Sequence, residues 1–76
     1  MSLREILAQN MRQARRQLGL SQEELAERAG IDRTYVSSLE RAVYSASLDT
    51  LARVAEALET EAHELLKPPT RRGKSG

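Results

Sequence analysis

Apolar side chains recur every three or four residues from the start of the chain, which is the spacing of one face of an α-helix. The first set ends just before Gly19, and a glycine in that place is a common helix stop. The pattern therefore predicts a first helix over about residues 2–18. Its apolar positions are Leu3, Ile6, Leu7, Met11, Ala14 and Leu18.

Two short helices are predicted next, joined by a very short turn. Ser21 and Glu24 have the spacing of a capping box, so they mark the start of a second helix that ends at Gly30. Asp32 is the next favourable N-cap, and the helix that follows it extends to about Arg41. A connection of about three residues with a glycine is typical of a helix-turn-helix.

The rest of the chain predicts two more helices and a polar tail. Ser47 caps a fourth helix with a continuous apolar stripe, and Thr60 caps a short fifth helix that Pro68 and Pro69 end. We therefore expect an all-α fold of five helices over residues 1–67, followed by a basic, disordered tail over residues 68–76. The apolar positions of the last two helices are Leu48, Leu51, Val54, Ala55, Leu58, Ala62, Leu65 and Leu66.

Composition excludes several classes of function. The chain has no cysteine and a single histidine, His63, so neither a thiolate site nor a histidine metal cluster is expected. The sequence offers no nucleophile with a base that could activate it. We therefore predict no enzyme, no cofactor and no small-molecule ligand. No signal segment or membrane-length apolar run is found, so the expected location is the cytoplasm of a bacterium.

Charge is unevenly distributed although the net charge is only +1. Residues 1–20 carry net +3 and residues 68–76 carry net +3, whereas the chain between them is acidic. Basic ends suit a nucleic-acid partner, and the tail would then be a non-specific phosphate arm. An ordinary solvated surface and an inert tail explain the same distribution.

The third predicted helix has one polar and one packing face. At about 100° per residue, its two arginines, Thr34 and two serines share one arc, while Tyr35 and Glu40 lie with the apolar residues on the other. Short hydroxyl side chains and guanidinium groups are suited to base edges in the major groove. A solvated helix face is the alternative. The residues of the polar arc are Arg33, Thr34, Ser37, Ser38 and Arg41.

These segments together resemble a known family. The stretches GLSQEELA at residues 19–26, GIDRTYVS at 30–37 and LER at 39–41 are similar to the phage-repressor-type (Cro/xenobiotic-response) helix-turn-helix family. Within it, the DRTY of residues 32–35 resembles the controller proteins of restriction-modification systems. The resemblance implies a lambda-repressor-like DNA-binding domain that regulates transcription.

The resemblance also implies roles for individual residues. It places Gln22 on a DNA phosphate, and Arg33, Thr34 and Ser38 on the bases. The projection adds Ser37 to the base contacts, although that residue is also placed to touch only the backbone. The remaining phosphate contacts that we expect are Ser21, Tyr35 and Arg41, with core packing as the alternative for Tyr35.

The loop after the third helix departs from the family pattern. Relatives usually carry a glycine directly after Leu-Glu-Arg, followed by polar and basic residues. Here the loop is AVYSA over residues 42–46. We therefore expect a different exit from the helix and fewer phosphate contacts, with Val43 and Tyr44 making backbone, stacking or dimer contacts instead.

A buried ion pair is expected behind the recognition helix. Glu40 lies at the edge of the packing arc, where an unpaired carboxylate would be costly to desolvate. Arg15, at the edge of the first apolar stripe, is its predicted partner, and the family pairs these positions. We assign Arg15 and Glu40 to structure rather than to DNA contact.

A chain of this size has a small core, which favours association with a second copy. The resemblance implies a homodimer, and we expect Leu58, Leu65 and Leu66 at its interface. The predicted function is transcription regulation by a homodimer that binds a pseudo-palindromic operator through the major groove. The alternative is an antitoxin-like protein-interaction module, for which apolar anchors on the third helix would be expected instead.

Overall fold

The computed structural model describes residues 1–69 and contains five α-helices in that range, with no strand. The prediction of an all-α fold with five helices is confirmed. Their bounds are Leu3–Gln17 (α1), Gln22–Ala29 (α2), Arg33–Glu40 (α3), Leu48–Ala57 (α4) and Ala62–Leu65 (α5).

The first four helices begin at side-chain caps, which satisfy backbone N–H groups that have no partner inside the helix. Ser2 and Ser21 form full capping boxes with Glu5 and Glu24. Asp32 and Ser47 accept from backbone N–H groups in the first turns of α3 and α4. The prediction that Thr60 caps α5 was wrong, because the N-cap is Glu61, which forms no side-chain cap hydrogen bond.

The first four helices also end in one way, with a left-handed residue and two reversed backbone hydrogen bonds. At the end of α1, Gly19 N–H donates to Arg16 O and Leu20 N–H donates to Arg15 O, each at 3.0 Å. This is the Schellman motif. The left-handed residues are Gly19 (φ 71°), Gly30 (φ 70°), Ala42 (φ 62°) and Glu59 (φ 59°).

The core lies between α1, α2, α3 and α4. Helix α2 packs on both α3 and α4, while α1 packs on α3 and α5. Each of these helices contributes side chains that are almost completely removed from water, as the apolar stripes require. The largest of them are Met11, Leu25, Val36, Leu39 and Val54.

Helix α5 has only four residues and is held by a side chain of α1. Asn10 Nδ2 donates to the backbone oxygens of Leu65 and Lys67, both at 2.8 Å. Leu65 is the last residue of α5 and Lys67 follows the helix, so Asn10 satisfies acceptors that the short helix leaves free.

Among the described residues, no helix combines the length and apolarity needed to cross a bilayer. Of the tail predicted over residues 68–76, the segment 70–76 lies outside the described residues.

Candidate nucleic-acid interface

The turn between α2 and α3 is compact because Gly30 allows the backbone to close the end of α2 and Asp32 caps the start of α3. Gly30 adopts φ 70°, and Ile31 N–H donates to Ala26 O at 3.0 Å, which closes the end of α2. Asp32 Oδ2 accepts from Thr34 N–H at 2.9 Å and begins α3. The turn that separates the helices is therefore three residues long, as the sequence pattern predicts.

The outward side of α3 is polar. Arg33 and Thr34 are exposed in its first turn, and Arg41 is exposed at its C-cap. Ser37 lies between them and is partly buried. Because none of these side chains forms a hydrogen bond among residues 1–69, their donors and acceptors are free for an external partner.

The structure corrects the prediction that Ser38 belongs to this polar face. Its exposed fraction is only 7%, so it packs towards the core. Ser38 lies one residue before Leu39, which is 1% exposed, and the packing arc is therefore wider than the projection indicates. A serine is small enough to be enclosed at this edge of the core.

The two residues predicted at phosphates near the start of α2 are placed differently. Ser21 is exposed, and its hydroxyl accepts from Glu24 N–H at 3.0 Å. Gln22 is partly buried, and its Nε2 donates to Glu40 Oε1 at 3.0 Å. One amide donor of Gln22 is thus engaged within the protein, which orients the side chain and leaves its other groups for a contact.

The structure brings Arg15 and Glu40 together in a two-point ion pair. Arg15 Nε donates to Glu40 Oε2 at 2.7 Å, and Nη2 donates to Oε1 at 3.0 Å. The exposed fractions of the two side chains are 13% and 2%. Arg15 Nη1 also donates to Leu20 O at 2.9 Å, so the guanidinium is well satisfied at this site.

Two further contacts to Glu40 were missed by sequence reasoning. One is the amide of Gln22, and the other is Arg12 Nη1, which donates to the backbone oxygen of Glu40. Arg12 lies one helical turn before Arg15 on the same side of α1, and that spacing was the available signal. Glu40, the last residue of α3, therefore joins this helix to α1 and α2.

The capping boxes lower the pKa of the glutamates that form them. The backbone N–H of Ser21, and then its hydroxyl, hold the pKa of Glu24 below its usual value. Ser2 lowers the pKa of Glu5 in the same way. Both glutamates are exposed and lie at helix N-termini, where negative charge is favoured.

Tyr35 is partly buried against the core, and its ring meets that of Tyr44 from the following loop. The ring centroids are 6.2 Å apart at an interplanar angle of 82°, an edge-to-face arrangement. Tyr35 therefore packs against both the core and Tyr44, and its hydroxyl forms no hydrogen bond within residues 1–69.

Two of the three leucines predicted at a dimer interface are buried in the core of the single chain. Leu58 and Leu65 are 4% and 2% exposed, so the structure corrects that assignment for both. Both belong to the core because α4 and α5 pack on each other and leave no face of these side chains free. Leu66 is partly buried and lies at the edge of the core.

Leu66 lines a shallow apolar groove of about 150 Å³ between α1, the α3–α4 loop and α4. Leu3 and Leu48 also line it, and they are 59% and 82% exposed. Exposed leucines grouped in this way mark an interaction surface more often than isolated ones do.

The arrangement of α2, turn and α3 is reproduced in known proteins. A family model described as helix-turn-helix matches residues 11–65, which include both helices and the core around them. The chain belongs to this helix-turn-helix family. Its members among the relatives below are DNA-binding transcription regulators of the XRE type rather than enzymes.

Two relatives match almost the whole chain. A hypothetical transcription factor from Neisseria meningitidis is 49% identical over 72 residues, covering 95% of this chain and 68% of the relative. The control protein C.SmaI from Serratia marcescens is 47% identical over 73 residues, covering 96% of this chain and 83% of the relative.

Solved structures agree with the fold. The crystal structure of the Neisseria factor has a TM-score of 0.87 at 48% identity and covers 90% of this chain and 78% of its own. The restriction-modification controller protein C.AhdI from Aeromonas hydrophila has a TM-score of 0.79 at 40% identity, with coverage of 82% and 94%. The resemblance to controller proteins is thereby confirmed.

A structure of the biofilm regulator SinR in complex with DNA is also similar, with a TM-score of 0.77 at 37% identity. It covers 80% of this chain and 98% of its own.

Proposed function

We propose that this protein is a cytoplasmic regulator that binds a pseudo-palindromic operator as a homodimer, with α3 in the major groove. The observation that supports this most strongly is the exposed polar face of α3, with Arg33 and Thr34 in its first turn. A recognition helix enters the groove with its N-terminal residues at the base edges. The related SinR has been solved in complex with DNA, which supports DNA as the partner of this fold.

Within this model, base contacts and phosphate contacts come from different parts of the motif. Arg33 reads a guanine through its O6 and N7 atoms, and Thr34 and Ser37 contact neighbouring bases. Ser21, Gln22 and Arg41 contact phosphates on either side and set the orientation of α3. Ser38 is omitted because it is buried.

Sequence selection tests the assignment of Arg33. Duplexes are enriched from a randomised pool with the wild-type protein, and the enriched sequence is then bound by Arg33→Ala. We expect a loss of about 1–3 kcal/mol per half-site and a relaxed preference at one base pair of each half-site. Arg16→Ala, which removes an exposed arginine of α1, is the matched control and keeps the preference of the wild type. An unchanged preference in Arg33→Ala would refute the assignment.

For the dimer, we propose the groove lined by Leu3, Leu48 and Leu66 as the contact between two copies. The two most exposed leucines of the described chain lie there, and a two-fold axis through the groove would cover the same surface on both copies. The dimer places two α3 helices on half-sites about 34 Å apart.

Sedimentation across a range of protein concentrations tests this surface. Leu48→Glu should shift the protein to monomer and weaken binding to the full operator far more than to an isolated half-site. Leu18→Glu, a charge at an exposed leucine outside the groove, is the control and leaves the association unchanged. A wild-type protein that is monomeric both free and on the full operator would contradict the symmetric model.

A further inference from the structure

The loop after α3 exposes apolar side chains next to the polar face of that helix. Val43 is 51% exposed and Tyr44 is 60% exposed. None of the contacts proposed above uses them.

The backbone of this loop is held in an uncommon conformation. Ala42 has φ 62°, a left-handed value that costs a residue with a Cβ about 1–2 kcal/mol. Ala42 N–H donates to Leu39 O and Val43 N–H donates to Ser38 O, both at 3.1 Å. These two bonds reverse the direction of the chain at the end of α3.

The reversal brings Tyr44 to Tyr35. The edge-to-face contact of the rings, with centroids 6.2 Å apart, restrains the Tyr35 side chain in addition to its packing against the core. Within residues 1–69, neither tyrosine hydroxyl forms a hydrogen bond. The Tyr35 hydroxyl is therefore held in place and free to donate to an outside acceptor.

We propose that Tyr44 is a positioning residue for DNA binding, which fixes the ring of Tyr35 so that its hydroxyl donates to a DNA phosphate. This inference rests on the proposed function. A fixed ring loses less conformational freedom on binding than a mobile one, so the benefit appears as affinity. The contact is the same for every base sequence, because phosphates carry no sequence information directly.

A double-mutant cycle on DNA tests the positioning role. The probe is the duplex enriched by the wild-type protein from a randomised pool. Tyr44→Ala should raise Kd about two- to tenfold per half-site, the range of aromatic pair energies, and Tyr44→Phe should bind like the wild type. In a Tyr35→Phe background, which lacks the hydroxyl, Tyr44→Ala should have little further effect.

Two outcomes of the cycle would overturn the proposal. Equal losses from Tyr44→Ala in both backgrounds would mean that Tyr44 contacts DNA itself. An unchanged Kd in Tyr44→Ala would mean that it plays no part in binding. A wild-type protein that enriches no sequence at all would instead refute the proposed function, so the two failures are distinguishable.

The free protein provides a readout that does not involve DNA. The ring protons of Tyr35 should carry a ring-current shift from Tyr44 that disappears in Tyr44→Ala and persists in Tyr44→Phe. Unchanged Tyr35 resonances in Tyr44→Ala would show that the rings do not meet in solution, and would overturn the proposal. Thermal unfolding of each variant confirms that the fold is retained, as expected for a side chain as exposed as Tyr44.

Discussion

Ala42 and Gly19 occupy equivalent positions in two Schellman motifs, which allows a matched pair of substitutions. Both are left-handed, with φ 62° and 71°, and both follow a helix whose end forms the same pair of hydrogen bonds. A Cβ built on Gly19 meets nothing within 4 Å, so Gly19→Ala changes the backbone preference without a clash. We expect Ala42→Gly to stabilise the protein and Gly19→Ala to destabilise it by a similar amount.

The magnitude follows from two opposing terms. Relief of the left-handed penalty is worth about 1–2 kcal/mol. The greater freedom of glycine in the unfolded chain offsets about 0.4–1 kcal/mol of that. The net gain for Ala42→Gly is then roughly 0.5–1 kcal/mol, or about 2–8 °C in Tm for a domain of this size.

Thermal and urea unfolding measure the stability of both variants. The protein concentration is held fixed, because self-association would otherwise shift Tm. The combined variant, Gly19→Ala with Ala42→Gly, should return close to the wild type because each change acts on the backbone preference of its own residue. If Gly19→Ala destabilises the protein while Ala42→Gly leaves Tm unchanged or lower, the strain assigned to Ala42 is refuted.

Two other predictions concern charged groups. Arg15→Ala should cost about 3 kcal/mol or more because it leaves the Glu40 carboxylate buried without its cation, whereas Arg15→Met with Glu40→Leu should recover much of the loss in thermal unfolding. A single variant that melts like the wild type would show that the pair does not stabilise the fold. Ser21→Ala should raise the pKa of Glu24 partway towards its usual value, because the largest cause of the shift, the backbone N–H, remains. A lowered folded-state pKa means that the stabilisation is present above the unfolded-state pKa and is lost as pH falls through the folded-state value, so the stability difference between the two proteins should shrink in acid. NMR titration of Glu24 checks the shift, and an unchanged pKa in Ser21→Ala would contradict the contribution of the hydroxyl.

Most of the fold was predictable because local chemistry and apolar spacing agree along the chain. Ser21, Asp32 and Ser47 cap helices as their side chains indicate, and Gly19 and Gly30 end helices by adopting left-handed backbone. Such agreement between local and overall preferences is typical of sequences with one stable fold.

The errors on Ser38, Leu58 and Leu65 have a common physical origin, since each concerns the width of a packing face. An angular projection assigns Ser38 to the free side of α3, whereas only 7% of it is exposed in the folded chain. Leu58 and Leu65 were expected to expose apolar surface to a second copy. Instead, α5 packs on α4 and both leucines are buried. A single helix projection does not include the neighbours that decide such cases.

The candidate site was predictable where a side chain projects freely and less so where it depends on tertiary contacts. Arg33 and Thr34 are exposed in the first turn of α3, on the side that the helix projection assigns to the polar arc. The meeting of Tyr35 with Tyr44 depends on the left-handed backbone of Ala42, which is not a residue that favours that conformation. No local pattern in the sequence indicates it.

The convergence of polar contacts on Glu40 has a consequence for how binding preference changes. Its carboxylate and backbone oxygen anchor α3 to α1 and α2 from the inner side, through Arg15, Gln22 and Arg12. The side chains of Arg33 and Thr34 take no part in that network. Arg33 and Thr34 can therefore be replaced without disturbing the contacts that hold α3 in place. A library randomised at those two positions should yield folded proteins with new target sequences.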